Sequence, residues 1–354
     1  MQIALDLAKK GMHTAKPNPR VGCIVVSENK IVGQGWHRQT GEAHAEAIAL
    51  SEAGDKAKDS TVYSTLEPCT HFGQTPPCVE ALIAAAVGKV VYAMEDPNPV
   101  VSGQSRKILE SAEIEVISGV LSQESKDLNI GFHKRMKYGL PYIRTKIAAS
   151  IDGKTALLNG ESQWISSKQS RDDVQLWRAR SCALVTSIDT VIADDPSLNV
   201  RINDFSDIDQ PTRVILDSQL RIRGDYKILK SPGDVIVYSL QQVHNDPIFE
   251  GMIENTDERD GHVSLESVFR DLAKKEINEV MFECGGTLNG ALLKQNLIDE
   301  IIIYLAPCIL GDQANNMFSL PAISAMSERY NFNLIQVDRT GDDIRVILRK
   351  ANPV

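Results

Sequence analysis

The chain has 354 residues, 42% of them hydrophobic and 24% charged, with a formal net charge of −9. That length suits about two domains with full hydrophobic cores, and no apolar run approaches the ~18 residues of a membrane span. Fifteen basic and 16 acidic residues precede position 140, so the acidic excess lies beyond it; neither part has the basic stripe of a nucleic-acid binder.

The N-terminus, MQIALDLAKKGMHTAKPNPR, lacks the continuous apolar core of a signal peptide, so a cytoplasmic location is expected. Ile3, Leu5, Leu7, Ala8 and Met12 instead predict a short amphipathic helix. RVGCIVVSENKIVGQGWH predicts a hairpin turning at Glu28-Asn29. EAHAEAIALSEAG follows as a helix, STVYSTLE as a strand, and PPCVEALIAAAV as a helix entered through prolines, where a missing N–H is harmless. KVVYAME, SRKILESA and IEVI continue as strand, helix and strand, a pattern that predicts a mixed sheet with helices on its faces.

The charged stretch HKRMKYGLPY, ending in Gly139 and Pro141, predicts a boundary that divides the chain into 1–139 and 140–354. Beyond it YIRTKIAAS, CALVTS, TRVILDS, GDVIVYS, EVMFECGG and EIIIYLAP read as strands, with helices at SKQSRDDVQLWRAR and LNGALLKQNL. This is a second α/β domain. The polar region from Gln241 to Asp260 predicts no element.

Six cysteines, Cys23, Cys69, Cys78, Cys182, Cys284 and Cys308, are expected to sit in a reducing compartment that disfavours disulfides. Most have apolar neighbours and read as small buried hydrophobes. Cys69 and Cys78 differ, because they bracket an eight-residue loop in EPCTHFGQTPPC. Zinc-binding cysteines usually lie closer together, so a metal site, a disulfide and two buried thiols are all open.

The element pattern puts His44-Ala45-Glu46 in the first turns of one helix, Cys69 at a strand-to-helix turn and Cys78 near the next helix start. A helix N-terminus stabilises a thiolate. One imidazole and two thiolates supply three zinc ligands and leave a fourth position for water, as a catalytic site requires. Glu46 then stands where a carboxylate can carry a proton from water to a leaving amine, the zinc-deaminase pattern. A closed structural site with His71 as fourth ligand is the alternative, and H-x-E alone recurs by chance.

In the second domain EVMFECGGTLNGALL runs from a strand through Gly285-Gly286 into a helix. Paired glycines admit close approach of a ligand, and a helix N-terminus favours phosphate, although a plain tight turn explains the same letters. Gly33-Gln34-Gly35 lacks the third glycine of the dinucleotide fingerprint and lies in the hairpin.

PNPRVGCIVV, GEAHAEAIAL, TLEPCTHFGQTPPC and EDPNPVVSG resemble, in that order, the deaminase half of the bifunctional riboflavin-biosynthesis deaminase–reductases. KIAASIDGKTA, NGESQWISS, DVQLWRARS, TSIDTVIADDPSLNVR, VILDS and FECGGTLNGALL resemble the reductase half. The wide cysteine spacing is that family's own variant, and the resemblance runs almost from end to end. It implies a cytidine-deaminase-like α/β/α domain followed by a dihydrofolate-reductase-like α/β domain. It also implies hydrolytic deamination of 2,5-diamino-6-(5-phosphoribosylamino)pyrimidin-4-one, then NADPH-dependent reduction of the ribosyl group of 5-amino-6-(5-phosphoribosylamino)uracil to ribityl.

Carried over by position, the resemblance gives His44, Cys69 and Cys78 to one zinc ion, Glu46 to proton transfer, and Asn18 to the first substrate. Ala148, Trp164, Thr190, Asp194 and the run Gly285, Gly286, Thr287, Leu288, Asn289, Gly290 and Ala291 would line the NADPH site. Ser162, Arg178, Leu198, Arg201 and Glu283 would contact the second substrate, with Lys146 and Asp152 as further candidates. Arg178 or Arg201 would hold the 5-phosphate. A homodimer through the reductase half is implied as well.

One departure is Gln74, where a basic residue suited to the substrate phosphate is expected; Arg20 is the candidate replacement. The rival readings are a nucleoside or nucleic-acid base deaminase with a degenerate second domain, and a non-enzymatic structural zinc module. The acidic balance and the long Cys–Cys loop disfavour the former; the latter has no use for Glu46.

Overall fold

Helix α1 (Gln2–Ala8) buries Ala4, Leu5, Leu7 and Ala8 and tightens into a 3₁₀ turn ending at Gly11; Ile3, at the rim of that arc, is exposed. The structure, a computed structural model, describes residues 1–70, 76–99, 101–202, 208–241 and 252–351. His71 and Gln74 therefore lie outside the described residues. By internal contacts the chain divides into two units, Met1–Leu140 and Pro141–Val354.

In the first unit Glu28 (φ 51°) and Asn29 (φ 61°) make the left-handed pair of a two-residue hairpin turn. They join β1 (Gly22–Ser27) to β2 (Lys30–Trp36). Helix α2 (Ala45–Ala53), strand β3 (Thr61–Leu66), helix α3 (Cys78–Ala84), strand β4 (Lys89–Met94), helix α4 (Gln104–Ser111) and strand β5 (Glu115–Ser118) follow. The sheet order is β2-β1-β3-β4-β5, with β1 antiparallel to both neighbours and β3, β4 and β5 parallel.

Two glycines decide how α2 sits on this sheet. A Cβ at Gly33 would come within 2.0 Å of the Ala49 carbonyl oxygen, and one at Gly35 within 2.4 Å of that of Ala45. Only glycine lets helix and strand backbones approach so closely. Helices α5 (Ser122–Leu128) and α6 (Ile130–Tyr138) complete the unit. The stretch HKRMKY that reads as a charged boundary is the body of α6, which ends at Gly139 in the left-handed conformation (φ 64°). Of its nine residues only Gly131 and Phe132 are buried, so the apolar periodicity is faint.

The second unit begins with β6 (Tyr142–Ser150), β7 (Lys154–Ala156), α7 (Lys168–Arg180), β8 (Ala183–Ser187) and α8 (Ile188–Asp194). Next come β9 (Thr212–Leu216), α9 (Lys227–Lys230), β10 (Val235–Ser239), β11 (Ile253–Asn255), β12 (Glu258–Arg259), β13 (His262–Val263) and α10 (Leu265–Lys274). It ends with β14 (Glu279–Phe282), α11 (Gly286–Lys294), β15 (Glu300–Ala306), β16 (Asn315–Asn316), β17 (Phe332–Thr340) and β18 (Asp343–Lys350).

Nine strands form one sheet in the order β11-β10-β9-β8-β14-β6-β15-β18-β17. From β11 to β15 all pairs are parallel, and β15-β18-β17 is antiparallel. Short β11 and β12 lie in the polar region for which no element is predicted. Near the amino ends of β6, β14 and β15, buried Arg144 pairs with Glu279 and, at 2.5 Å, with Glu300. Arg180 reaches Glu279 at 2.9 Å and Arg349 reaches Glu300 at 3.3 Å. Buried charges persist when paired this completely, and the network stands opposite the carboxyl ends of the parallel strands.

Candidate active sites

In the first unit, His44 is the N-cap of α2, so its backbone is extended and its ring leaves the helix axis. Cys69 follows β3, and Cys78 is the first residue of α3. The Cys78 N–H donates to Cys69 Sγ at 3.2 Å, and the Val79 N–H to the Cys69 carbonyl oxygen at 3.2 Å. His44 Nδ1 lies 3.2 Å from Cys78 Sγ and 3.5 Å from Cys69 Sγ, and one ligand atom from each of the three residues falls within 4.8 Å of the others. All six cysteines are free thiols, Cys69 and Cys78 among them.

This cluster fits zinc. Zn–S of about 2.3 Å and Zn–N of about 2.0 Å at tetrahedral angles place nitrogen and sulfur roughly 3.5 Å apart. The electrostatics agree. The Cys78 thiol, acting against burial and with help from His44 and the Cys78 N–H, pulls the Cys69 thiol far below its ordinary range. Cys78 is pushed up by its bond to Cys69, by burial and by Glu46. A divalent cation would favour the thiolate form of both sulfurs.

Glu46 is buried at 3% exposure on the first turn of α2. Ser64 Oγ donates to Glu46 Oε1 at 2.9 Å, while Oε2 lies 3.5 Å from Cys78 Sγ. Burial raises the Glu46 carboxyl, with His44 opposing and Cys69 reinforcing the shift. Burial thus favours the protonated carboxyl, which suits a group that takes up and gives back a proton.

Asn18 Nδ2 lies 3.0 Å from His37 Nε2, and the His37 ring packs edge-on against His44 at 5.6 Å between centroids. Burial lowers His37 toward its neutral form. The amide therefore donates to His37, and Asn18 keeps its oxygen for another donor. Arg20 does not serve as the missing cation. It is buried, with Nη1 donating to the Leu128 carbonyl at 2.9 Å and Nε to that of Met12 at 3.2 Å. Sequence reasoning missed His37 and Ser64; Ser64 lies on β3 between Thr61 and Thr65, and nothing in those letters singles it out.

In the second unit Lys146, Arg178 and Arg201 surround Glu283 just beyond the carboxyl end of β14, the edge at which open parallel sheets hold ligands. Glu283 follows β14, and Arg178 on α7 grips it with Nε–Oε1 at 2.6 Å and Nη2–Oε2 at 2.9 Å. Burial alone would raise the Glu283 carboxyl, but Arg178, with Lys146 and Arg201 nearby, holds it down at about 2. Burial lowers Lys146, against the pull of Glu283. Arg201 is exposed and bonds Asn199 Oδ1 at 2.5 Å.

The remaining candidates divide by environment. Trp164 is 70% exposed, with Arg171 stacked 4.5 Å from its ring, so it is no core tryptophan. Ser162, Ala148 and Thr190 are half-buried and Asp194 is exposed. Leu198 is buried in the apolar cluster with Ile188 and Ile215, leaving its backbone as the part available to a ligand. Asp152 is engaged by the Ser150 hydroxyl at 2.5 Å and by the N–H groups of Leu310 and Gly311.

The glycine run is also mixed. A Cβ on Gly286 would strike the Asn316 carbonyl oxygen at 2.3 Å and one on Gly290 that of Ser319 at 2.0 Å, so both glycines serve close packing of the chain on itself. Asn289 is buried and bonds Thr145, while Thr287, Leu288 and Ala291 belong to the same helix, α11. Gly285, the N-cap of α11, has nothing within 4 Å of an added Cβ, and no side chain caps the helix. That open cradle fits the phosphate of a dinucleotide.

Comparison with known proteins assigns each unit to a family. Residues 1–94 match the family model described as the cytidine and deoxycytidylate deaminase zinc-binding region, and residues 141–346 match the RibD C-terminal domain. Riboflavin biosynthesis protein RibD of Escherichia coli is 43% identical over 354 residues, covering 97% of this chain and 96% of the relative. The Haemophilus influenzae protein of the same name is 43% identical, covering 98% and 95%. Among solved structures, Acinetobacter baumannii RibD (form 2) superposes with a TM-score of 0.91 at 43% identity, covering 98% of this chain and 97% of that one. A Thermotoga maritima diaminohydroxyphosphoribosylaminopyrimidine deaminase/5-amino-6-(5-phosphoribosylamino)uracil reductase superposes at 0.88 with 31% identity, covering 99% and 97%. With a cytidine-deaminase-like domain and a dihydrofolate-reductase-like domain that use zinc and NADPH, the chain belongs to the RibD family of bifunctional deaminase–reductases of riboflavin biosynthesis.

Proposed function

We propose that Met1–Leu140 carries the deaminase and Pro141–Val354 the reductase, acting in that order on the phosphoribosyl pyrimidine named above. The observation that carries the reading is the convergence of His44, Cys69 and Cys78 beside buried Glu46. Zinc, when bound, supplies the Lewis acidity that makes water a nucleophile at neutral pH. His44, Cys69 and Cys78 would hold it. Glu46 Oε2 takes a proton from the attacking water and delivers it to the departing amine, so that ammonia leaves. Ser64 keeps Oε1 engaged and fixes the carboxylate plane. Asn18, oriented by His37, accepts from the pyrimidine.

In the reductase, NADPH supplies the hydride to C1′ of the ribosyl imine. Gly285 and the first turn of α11 would receive its phosphates, and Ala148, Trp164, Thr190 and Asp194 would line the rest of its site. Arg178 is committed to Glu283, so exposed Arg201 is the better cation for the 5-phosphate. Ser162, Leu198 and Glu283 complete the substrate contacts, with Lys146 close to the reacting end.

A cytoplasmic homodimer accords with the chain. No helix among the described residues is long and apolar enough to cross a membrane. Strand β17 ends its sheet with Leu334, Ile335 and Val337 exposed at 62%, 47% and 53%, an apolar edge that calls for a partner strand from a second copy. A coupled assay tests the function. NADPH consumption from the diamino substrate should require zinc, and Glu46→Gln should slow it at least about 100-fold, while the deaminated substrate is still reduced at the wild-type rate. NADPH oxidation from the diamino substrate by the variant at the wild-type rate would refute the order of steps.

A further inference from the structure

Glu67 is a charged residue directly after β3, two positions before Cys69, and it is only 2% exposed. Its carboxylate is saturated by one loop. Oε2 accepts from the Asp96 N–H at 3.1 Å and the Gly103 N–H at 3.1 Å. Oε1 accepts from the Ser105 N–H at 3.2 Å and the Ser105 hydroxyl at 2.8 Å. Its own N–H donates to the Met94 carbonyl at 2.9 Å. Helix α4, whose own N-cap Gly103 offers no side chain, thus receives from β3 the anion that its first N–H groups need.

The topology gives this clamp a consequence for the site. Strands β3 and β4 are parallel neighbours, paired through Leu66 and Met94, so the segments leaving their carboxyl ends run side by side. One of those segments carries Cys69. The other carries Asp96, whose Oδ1 accepts from the Asn98 N–H at 2.8 Å, and leads to Gly103 and Ser105 at the start of α4. Ligands of α/β sheets bind at that edge.

We propose that Glu67 is a positioning residue for deamination: it locks Asp96, Gly103 and Ser105 to the segment that carries Cys69, making the described residues around them a fixed wall of the substrate site. The proposal rests on the deaminase reading of this unit. Glu67 touches neither the three candidate ligands nor Glu46 through its carboxylate, so its loss acts on substrate placement before it acts on metal binding.

The test uses the full chain with Glu67→Gln and Ser105→Ala. Glutamine keeps the shape but turns an NH₂ toward backbone donors at one of the two oxygen positions. The expected result for Glu67→Gln is retained zinc, a deaminase KM raised about tenfold with kcat changed much less, and unchanged reduction of the deaminated substrate. Amide hydrogen exchange at Asp96, Gly103 and Ser105 should quicken in zinc-loaded and zinc-free protein alike. Ser105→Ala, which removes one bond, should move KM and exchange in the same direction by less, and serves if the glutamine variant does not fold. Unchanged exchange at the three amides overturns the clamp; quickened exchange with unchanged KM, or a loss confined to kcat and zinc content, overturns the positioning role. If the wild-type chain does not turn over the diamino substrate, the deaminase reading fails, and the exchange result still judges the clamp.

Discussion

Arg20 and Arg178 show what a single arginine's letter leaves undecided. Arg20 follows the PNP stretch and looks free to meet a phosphate, yet its guanidinium holds the backbone carbonyls of Met12 and Leu128. Arg178 has acidic neighbours at helical spacing in DDVQLWRAR, yet its partner is Glu283, more than a hundred residues away. That pair is only 11% and 14% exposed, and breaking a buried pair costs about 3–5 kcal/mol because one charge is stranded. Arg178→Ala should therefore lower unfolding stability at pH 7 by that order and raise the Glu283 carboxyl. The wild-type Glu283 sits at about 2, below its unfolded value. Its contribution, about 3 kcal/mol by linkage, is present above the ordinary carboxylate range and is lost as pH falls toward 2. Urea titrations at pH 7 and pH 4 should show the variant's deficit shrinking at the lower pH; a deficit independent of pH would mean that the charge pair is not its source.

At the scale of elements, the metal ligands depend on where α2 begins and how near it lies to β2. Gly35 sets that distance, with 2.4 Å between its missing Cβ and the Ala45 carbonyl oxygen. Gly35→Ala should push the first turn of α2 away from the sheet, at a cost of about 1–3 kcal/mol, and carry His44 and Glu46 with it. Denaturation and zinc titration should fall together. A variant with lower stability but wild-type zinc affinity would show that the helix start is held by something else. Periodicity located α2, β3 and α3, but it ran the helix start back to Glu42. The true start at Ala45 puts His44 outside the helix, where the extended backbone frees its ring. Helices α5 and α6 escaped notice because their buried faces are small, and HKRMKY reads as linker when only two residues of α6 are buried.

At the scale of the molecule, the exposed apolar edge of β17 predicts assembly. Leu334→Asp together with Val337→Asp should convert a dimer to monomer in analytical ultracentrifugation, since like charges on a self-complementary edge repel. A monomeric wild-type chain would remove the basis for that expectation. The sequence by itself determined the two-part α/β organisation, the order of eleven of the eighteen strands found among the described residues, and the H-x-E and Cys…Cys letters, because apolar periodicity and ligand chemistry are local properties; the short strands and the closing pair β17 and β18 were not anticipated. Only the tertiary structure decided that His44, Cys69 and Cys78 meet within 4.8 Å, that Arg20 is occupied and Arg178 committed, and that Glu67 clamps a loop 29 to 38 residues ahead of it. Those contacts join residues far apart in the chain, and which donor finds which acceptor is settled by how the helices and strands pack.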